Sequence, residues 1–445
     1  MEFYRSLLGN LVVWKDTPDR KPLVLHGARQ VGKTWLLETF GKKYFQHMVY
    51  INFERQDDMK HFFESDKDPK RIISQLSLYF GYTIRPEDSL IVLDEIQECK
   101  AALRSLKYFC EEVPEYAVIC AGSLLGVSMA QGDSFPVGKV DHMKLYPLTF
   151  KEFLYSVDSV MYDYLETLKQ VEPLPEIFFH RIHVTFLKYL ICGGMPSAAK
   201  IMAEETNSAK VDTVLHGILN DYRLDFFKHS TPSLIPKLSH IWDSLPSQLA
   251  RENKKFRYQL IRPGARAREY EDALLWLKQA GLIYSVTLNK TPKLPLKAYD
   301  DLSAFKIYLS DIGLLRTLSD MPASVILSSN NNNYVEFKGA SAENYVLQSL
   351  SVQFDVPLRY WTSKRNAEVD FLLQNGEDII PIEVKSGFNI HGKSLKVYGD
   401  QFHPKYKIRY SIRNLSIDSD IINIPLFLCD YTGQILSSVS SKQLD

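Results

Sequence analysis

The sequence predicts an α/β protein of more than one domain, and three observations predict it. Short β-rich runs alternate with helical patterns over about the first 130 residues, as in a parallel sheet flanked by helices. A glycine-rich loop, Gly27–Thr34, sits between an apolar run and a helical one. Far downstream, two alternating runs flank Asn375-Gly376, a strong hairpin signal.

At 445 residues the chain exceeds one ordinary core and predicts two to three domains. Its 45% apolar and 24% charged content are those of a globular protein. Lys plus Arg and Asp plus Glu both number 53, so no overall field draws the chain toward nucleic acid or a membrane. Such binding needs a local patch. Cys99, Cys110, Cys120, Cys192 and Cys429 are scattered and form no C-x-x-C pair, which argues against a disulfide framework or a structural zinc site. The start, Met1-Glu-Phe-Tyr-Arg, lacks a signal-peptide pattern, and no run approaches the roughly 18 apolar residues of a membrane span. The expectation is a soluble cytoplasmic protein with no membrane partner.

The elements follow in order. Leu23–His26 reads as a strand, Trp35–Phe40 as a helix after the loop, and Met48–Phe53, Leu90–Leu93 and Ala117–Ala121 as further strands. Residues 150–228 show helical spacing interrupted by Cys192-Gly-Gly-Met-Pro196, and are read as a helical lid or bundle. They complete a first domain over 1–228. Leu234–Leu245 reads as a helix that should stop near Pro246, and Arg266–Ala280 as one ending at Gly281. Leu282–Leu288 then alternates like a strand before the turn Asn289–Pro295. Two helices and a β-turn-β element outline a winged-helix-like domain, assigned to 229–325. From His229 to Asp300, twelve Lys/Arg face six Asp/Glu, a net charge of +6. That basic segment is the candidate DNA contact; a protein–protein module and a solvated helix entrance at Arg262–Arg268 fit it as well.

Ser328–Asn333 reads as an exposed loop, Ala340–Ser351 as a helix, and Ala367–Leu373 and Ile379–Lys385 as paired strands. With basic Lys393–Tyr410 and apolar Ile424–Cys429 they form a third domain over 326–445.

Gly27-Ala28-Arg29-Gln30-Val31-Gly32-Lys33-Thr34 meets G-x-x-x-x-G-K-[ST] at every fixed position. Glycines let backbone N–H groups curl around phosphate oxygens, and the following helix aims its positive end at the same anion. Lys33 is placed to reach the β- and γ-phosphates, and the Thr34 hydroxyl to ligate Mg²⁺. Leu90-Ile-Val-Leu-Asp-Glu95 supplies the second half of the site: a buried strand with an acidic pair at its C-terminal end. Asp94 is expected to hold Mg²⁺ and Glu95 to polarise the attacking water. The adjacent carboxylates favour ATP hydrolysis over a P-loop kinase. Ser123, after the run Ala117–Ala121, reads equally as a γ-phosphate sensor or a strand-ending turn. Arg104 and Arg223 are candidate arginine fingers, and each also reads as an ordinary solvated arginine.

In the C-terminal hairpin, period two places Glu383 and Lys385 on one strand face, with Asp370 on the preceding strand and Glu343 on the upstream helix. Carboxylates gathered with a lysine suit metal-assisted phosphodiester hydrolysis. Glu343, Asp370 and Glu383 would hold Mg²⁺ or Mn²⁺, while Lys385 would stabilise phosphate charge. An amphipathic hairpin with a charged outer face accounts for the same spacing.

Taken together, the chain resembles the bacterial and archaeal AAA+-type P-loop ATPases that carry a C-terminal DUF4143 domain. The resemblance spans essentially the whole chain. It rests on Gly27–Thr34, Leu93-Asp-Glu-Ile-Gln97, Ala121-Gly-Ser-Leu-Leu125, Leu145-Tyr-Pro-Leu-Thr-Phe-Lys-Glu-Phe-Leu154, Gly193-Gly-Met-Pro196, Ala367-Glu-Val-Asp-Phe371 and Ile382-Glu-Val-Lys385. It implies an AAA+ core, a winged-helix-like segment and a C-terminal α/β fold similar to PD-(D/E)XK nucleases. Asp370, Glu383 and Lys385 match that nuclease motif, and Glu343 matches its helical acid. The function expected is an ATP-hydrolysing switch coupled to a winged helix and a nuclease-like domain acting on DNA. The alternative is an ATP-gated regulatory module that docks DNA or a protein and cuts nothing; a protein partner or a homo-oligomer is the other partner expectation.

Overall fold

The computed structural model describes residues 2–122, 136–251, 254–327, 335–364, 367–387 and 393–441. They form two compact units.

The first unit comprises Arg5–Pro147 and Gln279–Leu282. Its strands are β1 (Leu23–His26), β2 (His47–Asn52), β3 (Ser89–Asp94), β4 (Ala117–Ala121) and β5 (Asp141–Lys144). All pairings are parallel, in the order β2-β3-β4-β1-β5. Every residue of β3 and β4 is buried, because helices cover both faces of a parallel sheet; such strands read as unbroken apolar runs. Helix Lys100–Glu112 buries Ala102, Leu103, Leu106 and Phe109 at helical spacing, and these join Val24, Ile51 and Leu93 in the core. β5 has no apolar run to read: its Asp-His-Met-Lys alternates between half-buried and exposed at the sheet edge. Parallel register brings the C-terminal ends of β1 and β3 to one edge, the place where open α/β sheets bind ligands.

The second unit comprises Met1–Tyr4, Leu148–Lys278 and Ile283–Asp445, so the expected boundaries at 228/229 and 325/326 fall inside it. The helices Glu176–Cys192, Pro196–Glu205 and Ser208–His229, expected as part of a lid, belong here. Phe186 and Tyr189 pack their rings on Tyr345 of helix Val335–Gln353, at 4.8 and 6.1 Å between centroids. Aromatic burial thus ties this segment to the C-terminal residues.

The helix expected to end near Pro246 runs from Ile235 to Leu249. Proline in the last turn removes one ladder bond, and its own carbonyl still accepts from Ala250 N–H at 2.9 Å. Eight strands form one sheet: β6 (Ile283–Asn289), β7 (Asp300–Leu309), β8 (Arg359–Thr362), β9 (Glu368–Asn375), β10 (Asp378–Val384), β11 (Lys407–Ser411), β12 (Ser416–Asp418) and β13 (Ile421–Pro425). The order is β12-β13-β11-β10-β9-β8-β6-β7. The β6–β7 hairpin, expected as a wing, is joined to this sheet by parallel pairing of β6 with β8. The exposed face of the preceding helix carries Arg268, Glu271, Asp272, Leu275 and Lys278, a mixed surface rather than a basic stripe.

Two sequence anchors have structural reasons. Thr149 and Glu152 form a reciprocal capping box on helix Phe150–Val157. At Gly193, φ is +65° and an added Cβ would lie 2.2 Å from Asp311 Oδ1, so no side chain fits. Buried Asp311 accepts from the N–H of Gly194 at 2.6 Å and of Leu314 at 3.0 Å, clamping this turn to the start of helix Ile312–Leu318. Asp311→Ala would leave both N–H groups without that acceptor. It is expected to cost roughly 2–5 kcal/mol, measurable as a lower urea midpoint.

Candidate functional sites

The phosphate loop is built by close approach. A Cβ on Gly27 would sit 2.5 Å from the Leu145 carbonyl oxygen, and Gly32 lies at φ +96° where helix Lys33–Tyr44 begins. Buried Arg5 braces the loop by donating to the carbonyl of Val31 at 3.3 Å and to that of Tyr146 at 2.5 Å. Lys33 is 7% exposed, and its Nζ donates to the carbonyls of Gly27 and Ala28 at 2.9 Å each. Burial lowers its pKa to about 8, against the opposing pull of Glu95 and Asp94.

Thr34, in the helix after β1, donates its Oγ1 to Asp94 Oδ2 at the end of β3 at 3.0 Å, although β4 lies between β1 and β3 in the sheet. Tyr50 OH donates to the same carboxylate oxygen at 2.5 Å. Burial, then this bond, raises the Tyr50 phenol to about 12. A hydroxyl beside a buried carboxylate is the hard-oxygen donor set that Mg²⁺ takes, so the residues fit the expected ion. Glu95 sits at φ +48°, a conformation rare for side-chain-bearing residues, and Gln97 Nε2 donates to its Oε2 at 2.6 Å. Ser123 lies outside the described residues. Arg104 is exposed, and Arg223 pairs with Asp243 at 2.6 Å on the surface of the second unit.

Glu383 and Lys385 lie together, as the spacing predicted, with Asp370 bonded to the residue between them, and each carboxylate has partners within the protein. Glu383 Oε1 pairs with Lys385 at 3.2 Å, and its Oε2 accepts from Arg409 Nε at 3.2 Å. Glu343 Oε1 accepts from Lys254, and its Oε2 from Tyr308 OH at 2.9 Å. Asp370 Oδ2 accepts from Val384 N–H at 2.8 Å. Lys306, fully buried on β7, pairs with Glu368 and lies 4.9 Å from the Tyr360 ring centroid. Burial and the charge of Glu343 push the Asp370 carboxyl up to about 7, with Lys306 and Lys254 pulling it down. Burial would lower Lys306, but the carboxylates of Glu343, Glu368 and Asp370 hold it above its usual range. Among the described residues no three His, Cys, Asp or Glu side chains gather so as to hold a metal ion. The expected carboxylate cluster is divided between two sets of internal cations, and these residues do not fit a divalent ion.

Family models match most of the chain in three blocks. An AAA domain covers residues 19–154, a domain of unknown function (DUF8612) covers 184–325, and a domain of unknown function (DUF4143) covers 338–427. The first and third blocks are the two that the sequence resemblance led one to expect, an AAA domain at the N-terminal end and DUF4143 toward the C-terminal end. The DUF8612 block spans most of the helical segment and the whole segment read as a winged helix. No curated protein matches. Among solved structures, a Walker-type ATPase of Pyrococcus abyssi is similar at 14% identity over 71% of this chain and 96% of that one, with TM-score 0.44. PCH-2 of C. elegans is similar at 15% identity over 46% and 65%, with TM-score 0.27. AMPPCP-bound DnaA from Aquifex aeolicus is similar at 12% over 61% and 83%, with TM-score 0.25. No helix among the described residues is long and apolar enough to cross a membrane.

Motif reading missed Arg5, Tyr50 and His26, since none belongs to the loop or the acidic pair. Their signal is spatial. His26 Nε2 lies 2.9 Å from His142 Nδ1, directly before the phosphate loop. Burial, then His142, Lys144 and Lys33, push the His26 imidazole down to about 4. The unfolded chain therefore takes up this proton first as pH falls, and stability present above pH 6.5 is lost toward pH 4. Between pH 7 and 5 the loss from this group is expected to be roughly 1–2 kcal/mol. Urea midpoints at the two pH values should converge in His26→Gln relative to the parent.

Proposed function

We propose that this protein binds ATP at Gly27–Thr34 and hydrolyses it, using the nucleotide to switch the state of its C-terminal unit. The contact of Thr34 with Asp94, beneath a loop that ends in Lys33, carries the reading. The loop N–H groups and Lys33 would hold the β- and γ-phosphates, Lys33 exchanging its two loop carbonyls for phosphate oxygens. Thr34 and Asp94 would hold Mg²⁺, which when bound neutralises phosphate charge. Glu95, oriented by Gln97, would take a proton from the attacking water. Lys33→Ala should abolish ATP binding and turnover, measured with a fluorescent ATP analogue and by phosphate release. Unchanged ATPase activity would remove the proposal.

For the C-terminal unit, engagement of Glu343 and Glu383 by internal cations favours the docking reading, in which DNA or a protein is held and nothing is cut. The test incubates single- and double-stranded DNA with Mg²⁺ or Mn²⁺, with and without ATP, beside an Asp370→Ala, Lys385→Ala double variant. Salt-sensitive binding without cleavage is expected. Cleavage by the parent and none by the variant would make the protein a nuclease.

A further inference from the structure

We infer that Lys254 and Lys306 fill the place a divalent cation would take among Glu343, Glu368 and Asp370, so that the C-terminal site carries its own cations and takes no metal. The inference deepens the docking reading and does not involve the ATP site.

Charge balance is the first argument. Lys254 pairs with Glu343 and Lys306 with Glu368, and the charges of both lysines act on Asp370, so two cations already stand among these three carboxylates. A divalent ion added to this set would meet ammonium groups already held among its would-be ligands, in surroundings where repulsion is poorly screened.

Donor occupancy is the second. A metal site needs carboxylate oxygens free to coordinate, yet both oxygens of Glu343 already accept from protein donors, as do Glu368 Oε1 from Lys306 and Asp370 Oδ2 from Val384 N–H.

The third is preorganisation. Lys306 has no exposed surface and belongs to a paired strand. Lys254 is 8% exposed, and the segment following it is tied down at both polar groups of Arg257: Gln248 accepts from its N–H at 3.0 Å and donates to its carbonyl at 2.9 Å. Phe256 N–H adds a bond to the Phe305 carbonyl at 2.7 Å, next to Lys306. A surface lysine would swing aside for a metal. These two are built in.

The test uses full-length protein without nucleotide and Mn²⁺ as the probe, following the free ion by electron paramagnetic resonance and the protein by thermal unfolding. Parent and Asp370→Asn are expected to take up Mn²⁺ equally and to unfold alike with Mn²⁺ or EDTA. Lys306→Met and, separately, Lys254→Met are expected to gain about one Mn²⁺ per chain. That gain should vanish when Asp370→Asn is added. Uptake by the parent that Asp370→Asn abolishes would overturn the inference, and so would folded lysine variants that gain no uptake. Should neither lysine variant fold, the comparison of parent with Asp370→Asn still decides. Because the readout is metal uptake, its failure is separate from that of the docking reading, which DNA cleavage alone would remove.

Discussion

Glu95→Gln is expected to bind ATP as the parent does and to turn it over about 10²–10⁴-fold more slowly, the span a positioned general base contributes. The amide keeps the size of the side chain and its bond to Gln97, but it cannot take a proton from water. Backbone placement sharpens the expectation. Glu95 directly follows β3 at φ +48°, and this turn aims its side chain where a simple strand continuation would not. Gln97 then restrains the carboxylate at 2.6 Å, so Gln97→Ala is expected to lower turnover less than Glu95→Gln and to leave affinity in place. Phosphate-release rates, read beside analogue binding, separate the two effects. Turnover equal to the parent's in Glu95→Gln would pass the role of base to another group.

Lys306→Met is expected to destabilise the second unit by about 3–5 kcal/mol, because it leaves buried carboxylates without their cation. The ammonium is fully buried, pairs with Glu368 and feels the charges of Glu343 and Asp370. Lys385 gives the contrast. Its side chain is 33% exposed, and its pairing with Glu383 is partly screened by solvent. Lys385→Met should therefore move stability by under about 1 kcal/mol. Urea unfolding followed by two independent probes checks both values. A midpoint for Lys306→Met near that of the parent would mean that the carboxylates are relieved some other way.

Parts of the molecule were legible because their physics is local. Gly27–Thr34 is one contiguous loop whose glycines are needed for reasons visible at each position: close approach at Gly27 and positive φ at Gly32. β3 and β4 were legible because burial on both faces demands unbroken apolar runs. β5 was not, since an edge strand with polar side chains leaves no hydrophobic period. Pro246 misled in the opposite direction, because a proline in a helix's final turn breaks only one bond.

By itself, then, the sequence determined the class of fold, the phosphate loop and the acidic pair at the end of β3, all features whose geometry is carried by neighbouring residues. Tertiary structure alone decided which cations face the C-terminal carboxylates. Lys254 comes from an irregular segment, Lys306 from β7 and Arg409 from β11, and no spacing links them to Glu343 or Glu383. A lysine in a strand reads as solvent-facing until the elements around it are packed. Only then does the low dielectric of the interior require each buried carboxylate to find a positive partner.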